Sequence, residues 1–196
     1  YNWIEPSFVG LSNLVDALAA IRKFVYEEKT VQMETLVRAL ESDYAGQENL
    51  RLMLLNRAPK YGNDDPSVDE LAVIITDAIR EEIQPYTTYL GGQFHSGFFC
   101  WIMHEQLGRV TAASADGRRA GFPLGDGSGP AQGRERLGPT AAVLSTTCWD
   151  HSPHLGGIAL NLKFSRPRDQ ETFVQSLIHI LETYLDQGGF EVQVNV

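Results

Sequence analysis

Apolar residues recur at helical spacing through the first third of the chain, and this pattern predicts three helices. The first helix is expected from Leu11 to about Lys29, with a buried stripe at Leu14, Val15, Leu18, Ile21 and Val25. Two shorter helices are expected around the stripes Met33, Leu36, Val37 and Leu40, and Leu50, Leu52, Met53, Leu54 and Leu55. Pro59 follows the third stripe and predicts its end, since proline cannot continue a helix.

A fourth helix carries a clear start signal. Asp65 followed by Pro66 is typical of an N-cap residue and a first helical residue. The acidic side chain of Asp69 then falls in the first turn, where the helix dipole favours negative charge. We expect a buried stripe and an end before Pro85; the stripe consists of Leu71, Ala72, Ile75, Ile79 and Ile83.

The middle of the chain changes character. Residues 94–104 are rich in aromatic and β-type residues and predict a strand with its flanks. Residues 112–141 are rich in glycine and proline, with the turn dipeptides Asp116-Gly117 and Asp126-Gly127. So long a loop inside a domain is usually functional or disordered, and these specific turn signals favour an ordered loop.

The last third predicts a strand, a helix and a second strand. Pro139-Thr140 opens a short helix, and residues 158–164 predict a strand. Asp169 is expected to cap a long helix that ends at Gly188, and residues 190–196 alternate like a strand. This order favours a βαβ unit and therefore an α/β fold.

Composition and charge narrow the class of protein. The chain has 196 residues, 43% of them hydrophobic, and a net charge of −9, so disorder is disfavoured and a nucleic-acid partner is not expected. No apolar run approaches the roughly 20 residues of a membrane span, and no membrane partner is expected. Cys100 and Cys148 are too few for a disulfide framework, which predicts a cytoplasmic protein with two buried thiols.

The terminal pattern predicts that the sequence was cut from something longer. Residues 190–196 alternate to the last residue, as in the middle of a half-buried strand. Domains usually end in loosely held residues instead.

Candidate chemistry from the residues alone is weak. The stretch Gly125–Gly129 is a phosphate-loop candidate, but it lacks the Lys-Ser/Thr ending, so a series of turns needing positive φ is favoured. Cys100 and His104 are expected to share a strand face, and His151 and His154 lie three apart. These residues do not supply two matched ligand pairs, so no metal site is predicted.

Several motifs in order resemble the glycyl radical enzymes. The resemblance rests on Tyr1-Asn2, on residues 59–65, on Val68-Asp69, and on residues 111–121, which match T-x-x-x-x-D-G-R-x-A-G. It continues through Pro123-Leu124, Gly125-Asp126-Gly127, Gly138-Pro139-Thr140-Ala141, residues 160–164 and Val194-Asn195-Val196. The resemblance covers essentially the whole chain.

The resemblance implies part of a ten-stranded α/β barrel over residues 1–196, with the cysteine loop and the glycyl radical domain absent. In this family a stored glycyl radical generates a thiyl radical on a cysteine, which removes hydrogen from a small-molecule substrate. Elimination of water, or cleavage of a C–C or C–N bond, follows. A separate S-adenosylmethionine and iron–sulfur activating enzyme installs the radical, and the intact enzyme is expected to be a homodimer. No cofactor is expected in this chain itself.

Both radical-bearing residues of the family are missing here. Cys100 and Cys148 are not in a Cys-x-Glu motif, and Arg109-Val110 is not followed by the Gly-Tyr of R-V-x-G-Y. The resemblance therefore implies no catalytic residue in this chain, which is predicted to be inactive alone. Leu107 stands where some members have tyrosine, and Thr111 resembles a substrate-contacting threonine of hydroxyproline dehydratase. Ordinary strand packing is an equal alternative for both residues.

The remaining motif residues are expected to have structural roles. Asp116 and Arg118 are expected to fix a turn, with the aspartate accepting backbone N–H bonds. The full set of such residues is Tyr61, Gly62, Asn63, Asp64, Asp116, Gly117, Arg118, Gly138, Pro139, Thr140 and Asn161. Two other functions stay open, formate acetyltransferase itself and a non-catalytic module that binds a ligand or serves as a spare part.

Overall fold

Seven α-helices and two strands occur in the computed structural model, which describes residues 2–165 and 168–196. Tyr1, part of the family resemblance, lies outside the described residues. The helices are α1 (Leu11–Ile21), α2 (Met33–Glu41), α3 (Glu48–Arg57), α4 (Pro66–Ile83), α5 (Met103–Val110), α6 (Pro139–Thr146) and α7 (Gln170–Asp186). The strands are β1 (Ala159–Lys163) and β2 (Glu191–Asn195).

The helix α1 ends earlier than its apolar stripe predicts. A π-helical turn continues it over Arg22–Glu27 and brings Phe24 into the core. Leu14 and Leu18, expected in the buried stripe, are 47% and 37% exposed, so this part of the prediction is wrong. The buried face instead carries Asn13 and Asp16, because each makes hydrogen bonds to residues far along the chain.

Two caps form as the sequence indicates. The side chain of Asp65 accepts a hydrogen bond from the Ser67 amide at the start of α4. Asp169 accepts one from the Glu171 amide at the start of α7. These local bonds explain why the starts of the two longest helices were predictable.

The strand expected over residues 94–104 is wrong. This segment makes only single bridges, Phe94 to Ile4, Gly97 to Ser7 and Phe98 to Ile158. Because these bridges are isolated from one another, no continuous ladder forms along the described segment. From Met103 onward the chain is the helix α5.

The strands β1 and β2 form a two-stranded parallel sheet crossed over by α7, which confirms the βαβ unit. Leu160 and Leu162 pack with Val143 of α6 and Tyr184 of α7 in a small core. A second core lies between α1 and α4, and a third holds α2 and α3 against the loop residue Ala115. The α/β fold class is thereby confirmed.

No helix of the part that the structure describes has the length and apolarity to cross a membrane.

Candidate functional site

A large cavity of about 1160 Å³ opens beside the two-stranded sheet. Its wall contains the alternate residues of both strands, which the parallel register places opposite one another. The facing pairs are Ala159 with Glu191, Asn161 with Gln193, and Lys163 with Asn195. Because side chains alternate between the faces of a strand, this polar face looks into the cavity while Leu160 is fully buried in the core.

Asp126 completes the polar wall from the glycine-rich loop. Its Oδ2 accepts a hydrogen bond of 3.0 Å from Nδ2 of Asn161. The loop can lie this close because Gly127 has no side chain; a Cβ there would come within 2.2 Å of the carbonyl oxygen of Ala159. Gly127 has a φ of +61°, whereas Gly125 and Gly129 do not have positive φ. The expectation of a series of turns that need positive φ is therefore correct for one of these three glycines.

Cys100 also lines the large cavity. Its Sγ lies 3.5 Å from Nδ1 of His104, a contact made across the start of α5 and not along a strand. Burial raises the pKa of the Cys100 thiol. Cys148, expected to be buried, is exposed, and its Sγ donates to the carbonyl oxygen of Asp69. Burial of the thiol group still raises the pKa of Cys148 to about 12.

The two histidines near the end of α6 are buried and do not meet at a metal site. His151 Nε2 lies 2.8 Å from the carbonyl oxygen of Thr146, and His154 Nδ1 lies 2.6 Å from Oγ of Ser96. Burial lowers the pKa of His154 to about 4. Among residues 2–165 and 168–196, no three side chains of the metal-binding types converge.

The Asp-Gly-Arg motif forms a buried brace away from the large cavity. Asp116 accepts hydrogen bonds at Oδ1 from the Arg118 amide and at Oδ2 from Nδ2 of Asn13. Arg118 donates to the carbonyl oxygens of Ala112, Arg119 and Phe122, which closes the loop around its own side chain. The carboxylate thus accepts the backbone bond expected of a turn, and it also reaches α1.

Residues 60–64 attach this brace to the first helices. Lys60 is buried, and its Nζ donates to the carbonyl oxygens of Leu54 and Asp116 at 3.0 and 3.2 Å. The amide of Tyr61 donates to Oδ1 of Asp16 at 2.8 Å. Burial raises the pKa of Asp16 to about 7 and lowers the pKa of Lys60.

The rest of the 61–64 motif holds the glycine-rich loop. Gly62 has a φ of +90°, and a Cβ there would come within 2.4 Å of Cβ of Pro130. Asn63 donates to the carbonyl oxygen of Arg134 and accepts from the amide of Arg136. The amide of Asp64 donates to Oγ of Ser145 on α6.

The other predicted site residues fall in two places. Gly138 and Pro139 line the large cavity at the start of α6, whereas Thr140 is an exposed residue of its first turn. Leu107 and Thr111 lie at the end of α5, outside the lining of this cavity, and Thr111 Oγ1 donates to the Leu107 carbonyl oxygen. Both are helical or helix-capping, so the alternative of strand packing is wrong for them.

Sequence reasoning missed several cavity residues. Lys163, Glu191 and Gln193 belong to strands that were predicted correctly, and their alternation was visible. What the pattern lacked was the register between the strands, which decides which polar residues face each other.

Comparison with known proteins places this geometry in a family. A family model described as pyruvate formate lyase-like matches residues 1–108, more than half of the chain. One described as glycine radical matches residues 124–196, so the expectation that this domain is absent is wrong for the matched residues, although the R-V-x-G-Y motif does not occur among them. The chain is 34% identical to a probable dehydratase, YbiW, of Escherichia coli and 33% identical to an isethionate sulfite-lyase of Bilophila wadsworthia. The matches cover 100% and 96% of the chain but only 25% and 23% of those relatives.

A solved structure shows the same fold. The glycerol-bound form of the B12-independent glycerol dehydratase of Clostridium butyricum superposes with a TM-score of 0.94 and 36% identity, over 100% of this chain and 25% of that one. The chain therefore spans about a quarter of the length of the relatives it matches, which fits the expectation of a piece of a larger enzyme. It belongs to the pyruvate formate lyase-like family of glycyl radical enzymes.

Proposed function

We propose that this chain is part of a glycyl radical lyase or dehydratase that acts on a small polar substrate by thiyl-radical hydrogen abstraction. The observation that carries the proposal is the large cavity, whose wall includes the polar face of β1 and β2, in a fold shared with a glycerol dehydratase. The reported relatives are dehydratases and a lyase, which favours these reactions over acetyl transfer to formate.

The residues of this chain supply binding and orientation. The bond between Asn161 and Asp126 fixes both polar groups before a substrate arrives, which suits recognition of hydroxyl groups. Lys163 and Glu191 add charges of opposite sign to the same wall. We further propose that the catalytic cysteine and the radical glycine lie outside residues 1–196, since no Cys-x-Glu and no R-V-x-G-Y occurs there.

Leu107 and Thr111 keep their proposed role as substrate-facing positions of the intact enzyme, although neither lines the large cavity in the part of the chain that the structure describes. Leu107 is 38% exposed, so a surface of α5 is free for such a contact.

The proposed inactivity of the isolated chain is tested directly. The purified chain is incubated anaerobically with an activating enzyme, S-adenosylmethionine and a reductant, and is then assayed with glycerol and isethionate. We expect neither a glycyl radical signal in electron paramagnetic resonance nor product. Turnover by this chain would overturn the assignment of the radical residues to other segments.

A chimera tests the proposed reaction class. The corresponding quarter of the Clostridium butyricum glycerol dehydratase is replaced by this chain, and glycerol dehydration is measured after activation. We expect turnover, with a loss of about tenfold or more for Asn161→Ala, because one oriented hydrogen bond to substrate is removed. Glu171→Ala, an exposed change on α7, is the matched control. A chimera that carries the radical but makes no product, or is unaffected by Asn161→Ala, would contradict the proposal.

A further inference from the structure

A second cavity, of about 350 Å³, lies on the other side of the glycine-rich loop. Its wall is built from Asn13 of α1, from α3 and from loop residues between 116 and 134. Its lining contains four arginines and one carboxylate, Asp116; the arginines are Arg51, Arg118, Arg119 and Arg134. This volume is within the range of small-molecule sites.

Three of the arginines are held in place by the protein. Arg118 donates to three carbonyl oxygens and to Oγ of Ser114. Arg51 and Arg119 share one carboxylate, Glu48, to which their Nη2 atoms donate hydrogen bonds of 2.6 and 2.7 Å. Asp43 adds a longer contact of 3.7 Å to Arg119. The guanidinium groups are thereby oriented before any ligand binds, which lowers the cost of binding.

Arg134 is different, because its guanidinium has no hydrogen bond or ion pair within the described ranges. Its backbone is nevertheless fixed, since its amide donates to Ala131 and its carbonyl oxygen accepts from Asn63. Asp116, the carboxylate in the wall, does not pair with the guanidinium of Arg134, because both of its oxygens already accept other hydrogen bonds. With Glu48 and Asp43 counted beside Asp116, the four arginines still exceed the carboxylates by one, and the guanidinium of Arg134 is free to bind an anion.

The N-terminus of α1 adds to the positive charge of this cavity. No acidic residue lies in its first turn, and no side chain caps it. Oγ of Ser12 is buried with no hydrogen-bond partner in the part of the chain described, and it lies 2.0 Å from where a Cβ on Gly125 would be. Gly125 lines the cavity and Ser12 does not, so this hydroxyl lies behind the wall and is not a ligand of the site. The first turn of α1 contributes Asn13 to the lining, and a helix N-terminus favours anions.

We propose that this cavity binds a phosphate group, either free or as a small ester. Arginines on several sides suit a tetrahedral group with three or four acceptor oxygens and close to two negative charges. The site is distinct from the cavity of the proposed reaction, because Gln132 is the only described residue that lines both cavities.

The test is binding of inorganic phosphate to the 196-residue chain, measured by calorimetry and by the shift in unfolding temperature against chloride at equal ionic strength. We expect phosphate to raise the unfolding temperature of the native chain. We expect Arg134→Gln to raise the dissociation constant for phosphate by about tenfold or more. Arg134→Lys should restore part of the affinity. Arg136→Gln, two residues along the same loop, is the matched control, because Arg136 bonds Asn56 and does not line the cavity.

Three results would overturn the site: no response of the native chain to phosphate, an equal response to chloride, or an Arg134→Gln chain that binds as the native chain does. Cooperative melting without phosphate verifies that each variant is folded, and Arg119→Gln replaces Arg134→Gln if that variant is not. Glycerol 3-phosphate is the second probe. Tighter binding than inorganic phosphate indicates an ester as the ligand, and weaker binding indicates the free ion.

Discussion

At the scale of single residues, buried polar groups determine where α1 lies. Asn13 and Asp16 face inward, while Leu14 and Leu18 are 47% and 37% exposed. The polar groups are tolerated because their hydrogen bonds replace those to water. Asp16 is the exception in part, since its Oδ2 has no partner among the described residues.

Asp16 makes stability depend on pH. Burial raises its pKa from 3.8 to about 7, against the opposing charge of Lys60 and the bond from the Tyr61 amide. Between these two values the folded state keeps a proton that the unfolded state has lost, so stability falls as pH rises, and the full penalty is present above pH 7. Below pH 3.8 both states are protonated and the penalty disappears.

Replacement of Asp16 by asparagine should remove this dependence. From pH 5 to pH 8 the native chain should lose about 1–3 kcal/mol of unfolding free energy relative to Asp16→Asn, as measured by urea denaturation. Asp186→Asn, an exposed change at the end of α7, is the control and should track the native chain. Parallel curves for the native chain and Asp16→Asn would contradict the assignment.

At the scale of elements, the sequence predicted the helix ends that depend on neighbouring residues. The caps at Asp65 and Asp169 and the end of α7 at Gly188 depend on neighbours in sequence, and the structure confirms them. The strand predicted over residues 94–104 does not form, because a strand needs a partner that pairs with it over several consecutive residues. In this segment the structure shows only isolated bridges. The two cavities could not be predicted either, because their walls join residues up to 96 positions apart in the large cavity and up to 121 apart in the second.

The cap of α4 offers a clean test at this scale. Asp65→Ala should lower the free energy of unfolding by about 1 kcal/mol, because the bond to the Ser67 amide is lost. Asp65→Asn keeps an acceptor oxygen in place and should be nearly neutral. Urea denaturation of both variants measures the difference, and equal destabilisation by the two changes would show that the charge matters and not the cap.

At the scale of the whole molecule, the chain exposes large apolar side chains that proteins usually bury. Trp101 and Ile102 are 83% and 68% exposed, and Trp101 has a φ of +51°, which is uncommon for a bulky residue. In the described sheet, β2 pairs with β1 alone, so its other edge is free. Exposed edges and apolar patches promote association.

We therefore expect the isolated chain to self-associate. Sedimentation velocity should show species larger than a monomer, and the double change Trp101→Ser with Ile102→Ser should reduce them. Ile74→Ser, which removes an apolar side chain 56% exposed on α4, is the control and should have a smaller effect. A native chain that sediments as a monomer at all concentrations would contradict this expectation.

The side-chain amide of Asn13 has a consequence for the order of folding. Its Nδ2 bonds Asp116 and its Oδ1 accepts from the amide of Gly125, partners 103 and 112 residues downstream. During synthesis, therefore, the start of α1 has no permanent place until the glycine-rich loop has emerged. Because such distant contacts are slow to form, docking of the first helix is expected to be a late step of folding. Until the glycine-rich loop is made, the undocked helix is prone to aggregation.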